Sequence, residues 1–318
     1  MDINIAKKKL EGCYVTIPTP FEDKKNFPVN YLALREYAKF LLDNGLNENY
    51  ATFLTGGAAG DFSTMTLKER LLVAENVADE VNGRVPLALG GQTTSTNELI
   101  ELAKAAQSMN FDFLQISCPY YFTHTEDDFL EFVKEGANAA PEVGIIVYNT
   151  FWTSTNVSDQ LVEEFTKIPN IIGLKWATPR TDAMEFESIT SSYSNHFTII
   201  DNNLFFPYSA MPSLNAKAFE VHLCNYWPEW GIKLIDEINL KNFVEVARMM
   251  IEEAMPFYKL WISIEKNYTS GDGYLDKLCM ELIGLSSSRC RPPTRDIRKL
   301  YRNETYAMMK KVGVPKLI

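Results

Sequence analysis

Residues 171–175 read Ile-Ile-Gly-Leu-Lys, an apolar run that ends on a lysine. A similar run, Gly-Ile-Ile-Val-Tyr-Asn, precedes it at residues 144–149. Short and nearly continuous apolar runs, rich in β-branched residues, are typical of parallel strands that are covered on both faces. Two successive predicted strands therefore end in reactive side chains, Tyr148 in the first and Lys175 in the second.

The same alternation of short apolar runs and longer amphipathic segments extends along the chain. Capping-box patterns at residues 66–69 and 95–98 mark helix starts after the second and third runs. Strict alternation with eight strands predicts an α/β fold, a (β/α)8 TIM barrel, because a doubly wound sheet would normally show a Gly-x-Gly-x-x-Gly turn that is missing here. The strands are predicted at residues 14–17, 51–54, 85–89, 113–117, 144–148, 171–175, 198–200 and 216–222.

The pattern changes after the eighth predicted strand. The remaining chain is predicted to be helical, and Pro292 and Pro293 separate its last two helices. We therefore expect a barrel over residues 1–238 that carries the active site, followed by a C-terminal helical extension over residues 239–318. The helices of the extension are predicted at residues 240–265, 274–285 and 294–312.

Charge and composition exclude several classes of protein. The 318-residue chain has a net charge of −10 at pH 7, and a surface of this sign repels nucleic-acid phosphates. No apolar stretch approaches the ~18 residues of a membrane span, and the first residues lack the apolar core of a signal peptide. The five cysteines form no Cys-x-x-Cys pair, which indicates reduced thiols. We expect a cytoplasmic protein without a nucleic-acid or membrane partner.

The histidines show no metal-binding pattern. The chain has three, His124, His196 and His222, which are far apart and lack His-x-His or His-x-x-x-His spacing. Zinc sites are commonly built from closely spaced ligands of this kind. We therefore expect no metal site built on the histidines.

Lys175 and Tyr148 indicate a particular chemistry. Active sites of TIM barrels lie at the carboxyl ends of the strands, so the two side chains are expected to approach each other there. Burial disfavours the charged form of a lysine, and a neutral amine can attack a ketone to form an electron-withdrawing iminium. A neighbouring phenol can move the protons that each step requires. Alternatively, Lys175 extends its charged end from the barrel mouth and Tyr148 only packs in the core.

A glycine-rich loop follows the second predicted strand. Residues 55–62 read Thr-Gly-Gly-Ala-Ala-Gly-Asp-Phe, and a helix start follows at Thr66. Small side chains leave backbone N–H groups accessible, so such a loop can bind a carboxylate. An ordinary glycine-rich turn also fits this pattern.

Together, these stretches resemble the dihydrodipicolinate synthase / N-acetylneuraminate lyase superfamily of class I aldolases. The order and spacing agree from about residue 10 to residue 230. The resemblance implies that Lys175 binds the 2-oxo group of a pyruvate-type acid as a Schiff base and that Tyr148 shuttles protons. The matching segments are Thr19-Pro20-Phe21, residues 57–61, Pro119-Tyr120-Tyr121, Tyr148-Asn149 and residues 170–175.

Further expectations follow from the same resemblance. It implies that the amides of Ala58 and Ala59 hold the substrate carboxylate and that Tyr121 reaches into the site of a neighbouring subunit. It also implies a homotetramer or homodimer that acts on a small-molecule 2-oxo acid and needs no metal or organic cofactor.

The sequence departs from the family in the residues that choose a substrate. Ala58 and Ala59 replace a hydroxyl pair that relays protons to the tyrosine. Residues 151–155 contain no arginine, although the synthase itself carries one there for a distal carboxylate, so synthase activity is not expected. Ala177 lacks the threonine hydroxyl of the sialic-acid-cleaving branch. Asn203, where sugar-binding members place glycine and acidic residues, is a candidate substrate-binding residue.

The eighth predicted strand carries an unusual polar pair, Glu220 and His222. Residues two apart lie on one face of a strand, and we expect this face to meet the cavity, unless the register is shifted by one. The family usually has isoleucine followed by serine or valine here. A carboxylate near a Schiff-base lysine could serve as the general acid of a dehydration.

The sequence is therefore compatible with three functions. The leading prediction is a Schiff-base-forming lyase, a pyruvate-type aldolase. The alternatives are a dehydratase of a 2-keto-3-deoxy sugar acid that uses the same lysine iminium, and a non-catalytic ligand-binding homologue. A lysine that faces a cavity beside Tyr148 favours an enzyme, whereas a lysine sequestered by Glu220 in a filled barrel favours the non-catalytic alternative.

Overall fold

Eight parallel strands close a barrel in the computed structural model, which describes residues 1–151, 156–179 and 183–318. The strands follow one another in chain order, and the last pairs with the first. Every strand residue is buried, as expected for strands covered on both faces. The TIM barrel is thus confirmed. The strands are β1 Gly12–Thr16, β2 Ala51–Thr55, β3 Leu87–Gly90, β4 Phe113–Ser117, β5 Gly144–Asn149, β6 Ile171–Trp176, β7 Thr198–Asp201 and β8 Ala218–Glu220.

Helices follow the strands and continue to the end of the chain. Short 3-10 turns lie at Phe62–Thr64 and His222–Asn225, and a π-helical segment lies at Met249–Ala254. The α-helices in the described residues are α1 Ile3–Lys9, α2 Tyr31–Asp43, α3 Leu67–Val81, α4 Thr96–Ser108, α5 Glu126–Ala139, α6 Asp159–Phe165, α7 Ala183–Tyr193, α8 Phe206–Ser209, α9 Pro228–Asn239, α10 Phe243–Arg248, α11 Met255–Asn267, α12 Tyr274–Leu282 and α13 Arg298–Val312.

Local side-chain bonds explain where the predicted helices begin. Thr66 and Glu69 form the full capping box at the start of α3. At α4 the hydroxyl of Ser95 accepts the amide of Glu98, while the carboxylate of Glu98 accepts from Thr93. The sequence pattern of residues 181–191 also predicts a helix, and the structure has α7 there; residues 181 and 182 lie outside the described part of the chain.

The predicted helix at residues 240–265 is divided into α10, the π-helical segment and α11. Pro256, near the start of α11, has no amide hydrogen to continue the α-helical bonding pattern, which explains a break at this point. The predicted strand at residues 216–222 was too long, because β8 ends at Glu220. The amides of Tyr226 and Trp227 then bond to the carbonyl of Leu223, so the chain turns instead of extending.

The chain divides into two compact units. The first, called the lysine unit, comprises Met1–Tyr14, Glu48–Phe53 and Pro86–Glu220. The second, called the loop unit, comprises Val15–Asn47, Leu54–Val85 and Val221–Ile318. The lysine unit contains β3 to β8, and the loop unit contains α2, α3 and the C-terminal helices. The domain boundary after residue 238 stays a prediction.

Two further features bear on the expectations from composition. No helix in the described part of the chain combines the length and the apolar character that a membrane span requires. All five cysteines lie in the described residues, and each is a buried thiol.

Candidate active site

The register of two neighbouring strands brings Lys175 beside Tyr148. The residues are direct partners in the β5–β6 ladder, each one position before the end of its strand. Nζ of Lys175 lies 4.6 Å from the centroid of the Tyr148 ring. Both side chains are buried. The predicted approach of lysine and tyrosine is therefore present in the lysine unit.

Glu220 is the charged partner of Lys175. Nζ donates a hydrogen bond to Oε2 of Glu220 at 2.5 Å, and the two side chains are 6% and 7% exposed. Tyr14, the register partner of Glu220 in β1, places its ring centroid 5.2 Å from the same Nζ atom. A carboxylate and two aromatic faces are attractive partners for an ammonium group. Glu220 therefore contacts Lys175, and its predicted part in substrate binding stays a prediction.

Tyr14 and Gln115 extend the polar cluster around the lysine. The Tyr14 hydroxyl donates to Oε1 of Gln115 at 3.1 Å, and both side chains are buried. Burial raises the pKa of Tyr14 well above its usual value, and the negative charge of Glu220 raises it further. Tyr14 therefore stays protonated. The sequence offered one signal for this pair: Gln115 is the amide in the otherwise apolar start of β4.

The hydroxyl of Tyr148 is oriented from the end of β7. It accepts a hydrogen bond from Nδ2 of Asn202 at 3.1 Å. The neighbouring Asn203 instead uses both ends of its side-chain amide on Thr178, with distances of 3.0 Å to the Thr178 amide and hydroxyl. Asn203 therefore joins two strand-end loops. Its predicted role in substrate binding stays a prediction, and Asn202 is the asparagine that touches the candidate catalytic tyrosine.

Asp201 is a buried carboxylate at the end of β7. Its oxygens accept hydrogen bonds from the amide of Asn203 at 2.7 Å and from the hydroxyl of Ser209 at 2.6 Å. Burial raises the pKa of Asp201 to about 6, against the opposing effect of these hydrogen bonds. Asp201 thereby fixes the backbone that presents the two asparagines.

The glycine-rich loop of the loop unit contains the amides of Ala58 and Ala59. Among the described residues, no hydrogen bond uses the amide of Ala58 or Ala59, although the amides of Gly60 and Asp61 close turns onto the carbonyls of Gly57 and Ala58. Open backbone amides in a turn suit an anion. The geometry therefore fits the predicted carboxylate-binding role, which itself stays a prediction.

A buried ion pair holds the end of this loop. Nζ of Lys277, in α12, donates to Oδ2 of Asp61 at 2.6 Å. Burial raises the pKa of Asp61, and the positive charge of Lys277 opposes the rise. The ring centroid of Phe21 is close to two cations, 4.5 Å from Nζ of Lys277 and 4.4 Å from the guanidinium carbon of Arg291. No sequence pattern singled out Lys277, because its partner lies 216 positions away.

The prediction that His222 shares a strand face with Glu220 is wrong. His222 begins the 3-10 turn after β8, so the two-residue alternation of the strand no longer applies. Its Nδ1 atom lies 3.0 Å from Oδ1 of Asp276, which also accepts from Asn225 at 2.8 Å. The imidazole packs against the aromatic side chains Phe257, Tyr258 and Trp261 in tilted and edge-on orientations. These contacts give His222 a packing role, and its predicted part in substrate binding stays untested.

Asp272 lies near His222 and Asp276, and each of the three side chains offers one atom that could bind a metal ion. The donor atoms of His222, Asp272 and Asp276 lie within 4.8 Å of one another, a group that could reach a cation. Asp276 already accepts hydrogen bonds from His222 and Asn225. We therefore interpret His222, Asn225 and Asp276 as a buried hydrogen-bond network of the loop unit, with the half-buried Asp272 nearby.

Tyr121 lies on the surface. Its side chain is 87% exposed, and its backbone has a φ of 93°, which is unfavourable for a residue with a side chain. The ring packs edge-on against exposed Phe122, with 4.8 Å between centroids. The role of Tyr121 in a neighbouring subunit stays a prediction.

The closed parallel barrel, with its lysine beside a tyrosine at the strand ends, matches the class I aldolase type of lyase. A family model described as the dihydrodipicolinate synthetase family matches residues 9–312. The chain therefore belongs to this family.

Individual proteins agree with this assignment. The 4-hydroxy-tetrahydrodipicolinate synthase of Syntrophus aciditrophicus is 27% identical over 305 residues, which cover 96% of this chain and 99% of that protein. The enzyme of the same name from Methanothermobacter thermautotrophicus is 28% identical over 288 residues, covering 89% and 95%.

Solved structures show the same fold. Dihydrodipicolinate synthase from Oceanobacillus iheyensis aligns with a TM-score of 0.84 at 21% identity, covering 97% of this chain and 98% of that chain. N-acetylneuraminate lyase from Proteus mirabilis aligns with a TM-score of 0.82 at 22% identity, covering 96% and 99%. These structures share the barrel and its C-terminal helices with the present chain.

Proposed function

We propose that the protein is a lyase that forms a Schiff base between Lys175 and a 2-oxo acid of the pyruvate type, in a reversible aldol reaction. The observation that carries this proposal is the burial of Lys175 beside Tyr148 near the ends of β6 and β5. A lysine amine can add to a ketone, and the resulting iminium stabilises negative charge on the neighbouring carbon. Tyr148 supplies a phenol for the proton transfers.

The substrate carboxylate is assigned to the amides of Ala58 and Ala59. Two observations support this: the family resemblance, and the lack of a hydrogen-bond acceptor for either amide among the described residues. Backbone amides that are open to an incoming anion bind it without a side-chain charge. The proposed ligand is therefore a small anionic 2-oxo acid.

The second substrate is proposed to differ from that of the synthases. Residues 151–155 read Phe-Trp-Thr-Ser-Thr, without the arginine that the resemblance places there. A distal carboxylate would lose its bidentate partner. Residues 152–155 lie outside the described part of the chain, so this step rests on the sequence. Ala177 likewise lacks the hydroxyl that the sialic-acid-cleaving branch provides.

Dehydration of a 2-keto-3-deoxy sugar acid is the second candidate. The observation that favours it is the 2.5 Å contact between Glu220 and Nζ of Lys175. A carboxylic acid this close to the iminium nitrogen is well placed to protonate a departing hydroxyl group. In this reaction water leaves and the carbon chain stays intact.

The ion pair also fits a non-catalytic homologue in which Glu220 sequesters the lysine. We favour an enzyme because relatives that align with 89–96% of this chain are synthases, and because Lys175 keeps Tyr148 beside it, at 4.6 Å from the ring centroid. A ligand-binding protein would not need a phenol next to its lysine.

Borohydride reduction in the presence of pyruvate tests the step that both enzymes share. We expect a covalent adduct on the wild-type protein that disappears in Lys175→Ala. If no 2-oxo acid forms an adduct, both proposed enzyme activities are wrong and the non-catalytic ligand-binding function remains. Product analysis then separates the reactions: pyruvate release indicates aldol cleavage, and loss of water from an intact chain indicates dehydration.

A further inference from the structure

Glu220 has no role in the aldol reaction proposed above, although it touches the reacting nitrogen. It ends β8, and its Oε2 atom accepts a hydrogen bond from Nζ of Lys175 at 2.5 Å. Both side chains are more than nine-tenths buried. By resemblance, the family places an isoleucine here. Burying a carboxylate without a partner costs free energy. Here the partner is Lys175, the proposed nucleophile.

Imine formation needs a proton acceptor, because an ammonium group has no electron pair with which to attack a ketone. The tyrosine hydroxyls near Lys175 have other partners. The Tyr148 hydroxyl accepts from Asn202, while Nζ lies over the Tyr148 ring. The Tyr14 hydroxyl donates to Gln115. Glu220 is thus the group whose hydrogen bond to Nζ is already formed in the described structure.

We infer that Glu220 is a catalytic residue that takes a proton from Nζ of Lys175 when a 2-oxo acid binds and later gives that proton to the departing oxygen. This inference rests on the proposed Schiff-base function and deepens it. It replaces the hydroxyl relay that the family carries where this chain has Ala58 and Ala59. Tyr148 is left with the later proton transfers of carbon–carbon bond formation or cleavage.

The steps balance. The ammonium of Lys175 gives one proton to the carboxylate of Glu220, and the neutral amine forms a bond to the ketone carbon as the C=O π bond breaks. A proton then passes from nitrogen to oxygen, which gives a neutral carbinolamine. The carboxylic acid of Glu220 protonates its hydroxyl, the C–O bond breaks, and water leaves. The product is an iminium beside the Glu220 carboxylate, so the ion pair is restored.

The test measures the rate of imine formation with pyruvate. Samples are quenched with borohydride at successive times, and the trapped fraction is read from the intact protein mass. We expect Glu220→Gln, which keeps the shape but loses the base, to trap about 100-fold more slowly at neutral pH. The rate should recover as the pH rises, because hydroxide then removes the proton. Trapping of Glu220→Gln at the wild-type rate would overturn the inference.

A second set of variants separates chemistry from structure. Glu220→Ala should regain rate when formate is added, because the anion replaces the missing base, and Glu220→Asp should retain most of the rate if the carboxylate is what matters. Glu126→Gln is the matched control, because Glu126 accepts hydrogen bonds from Ser158 and not from the lysine; it should trap at the wild-type rate. If neither raised pH nor formate restores the trapping rate of the Glu220 variants, Glu220 has only a structural role and the inference fails.

The two hypotheses fail in different ways. If the wild-type protein forms no adduct with any 2-oxo acid, the proposed function itself is wrong. If the wild type forms an adduct and Glu220→Gln forms it equally fast, the Schiff-base function stands and only the role of Glu220 is lost.

Discussion

Lys175 and Lys277 are the lysines that are buried in the described part of the chain, and each is paired with a carboxylate. Lys277 bonds to Asp61 and lies over the ring of Phe21, an arrangement that holds two segments together. Lys175 differs because a tyrosine lies next to it on the adjoining strand. Burial alone therefore does not distinguish the two lysines, and the neighbouring phenol near the strand end is the feature that sets Lys175 apart.

The stability of the protein should depend on the ionisation of Asp201. Burial raises the pKa of Asp201 from 3.8 to about 6. Between these values the folded protein binds a proton that the unfolded chain has lost, so this contribution to stability is complete below the lower value and disappears as the pH rises through the higher one. We expect the free energy of unfolding of the wild type, relative to Asp201→Asn, to fall across this range and then level off.

Urea unfolding at several pH values measures this difference. Asp201→Asn is the control at each pH, because it keeps every titrating group of the wild type except Asp201. A difference between wild type and Asp201→Asn that stays constant over the range would contradict the assignment.

Individual site residues were predictable to different degrees. Lys175 and Tyr148 could be paired from the sequence, because adjacent parallel strands of similar length align their ends. The choice between Asn202 and Asn203 could not be made, since a shift of one residue at a strand end exchanges the two faces. The Tyr14–Gln115 bond joins β1 and β4, which are not neighbours in the barrel, so no pattern within one strand indicates it.

At the scale of elements, the hydrophobic pattern predicted the existence of strands better than their ends. β8 has three residues where seven were predicted. Apolar residues continue past Glu220, but their side chains fill a turn whose first residue, His222, is held by Asp276. That partner lies on α12, and a contact over this separation in sequence has no local signature.

The pair of Asp61 and Lys277 should anchor the glycine-rich loop. Lys277→Met removes the cation and leaves a buried carboxylate without its partner, which typically costs about 3–5 kcal/mol. We expect this loss in the free energy of unfolding, together with a raised KM for a 2-oxo acid, because the amides of Ala58 and Ala59 lie just before Asp61. The double variant Lys277→Met/Asp61→Asn should recover much of the stability.

An exposed ion pair supplies the matched control for this experiment. Lys39 and Asp43 are 2.7 Å apart on α2, and both side chains are more than half exposed. Lys39→Met should change the free energy of unfolding by about 0.5 kcal/mol or less. Equal effects of the two lysine substitutions would show that burial of the Asp61 pair has no energetic consequence.

At the scale of the whole molecule, the barrel was the most predictable property. Alternation of eight apolar runs with amphipathic segments leaves few arrangements that bury every run, and a closed parallel barrel is one of them. The sequence predicted a helix over Met249–Ala254 but gave no signal that this segment is π-helical, although Pro256 marks a break nearby. The division into two units also has no sequence signature, because each unit collects three separate stretches of the chain.

The number of chains in the assembled protein is open to direct measurement. The resemblance implies a tetramer or dimer in which Tyr121 serves a neighbouring subunit, and Tyr121 is 87% exposed in the single chain. We expect light scattering to report a multiple of the chain mass. Tyr121→Phe should keep this mass and the trapped adduct but lower turnover about 10-fold or more, because a proton-carrying hydroxyl is lost. A monomer with full activity would contradict the role of Tyr121.

The most direct test of the central claim is to locate the reduced adduct. The protein is incubated with pyruvate and borohydride and then digested, and modified peptides are sequenced by mass spectrometry. We expect modification of Lys175, with Lys277 unmodified although it is also buried. Lys175→Ala should show no modified peptide. An adduct on Lys277 or on exposed lysines alone, with Lys175 unmodified, would contradict the assignment of Lys175 as the Schiff-base lysine.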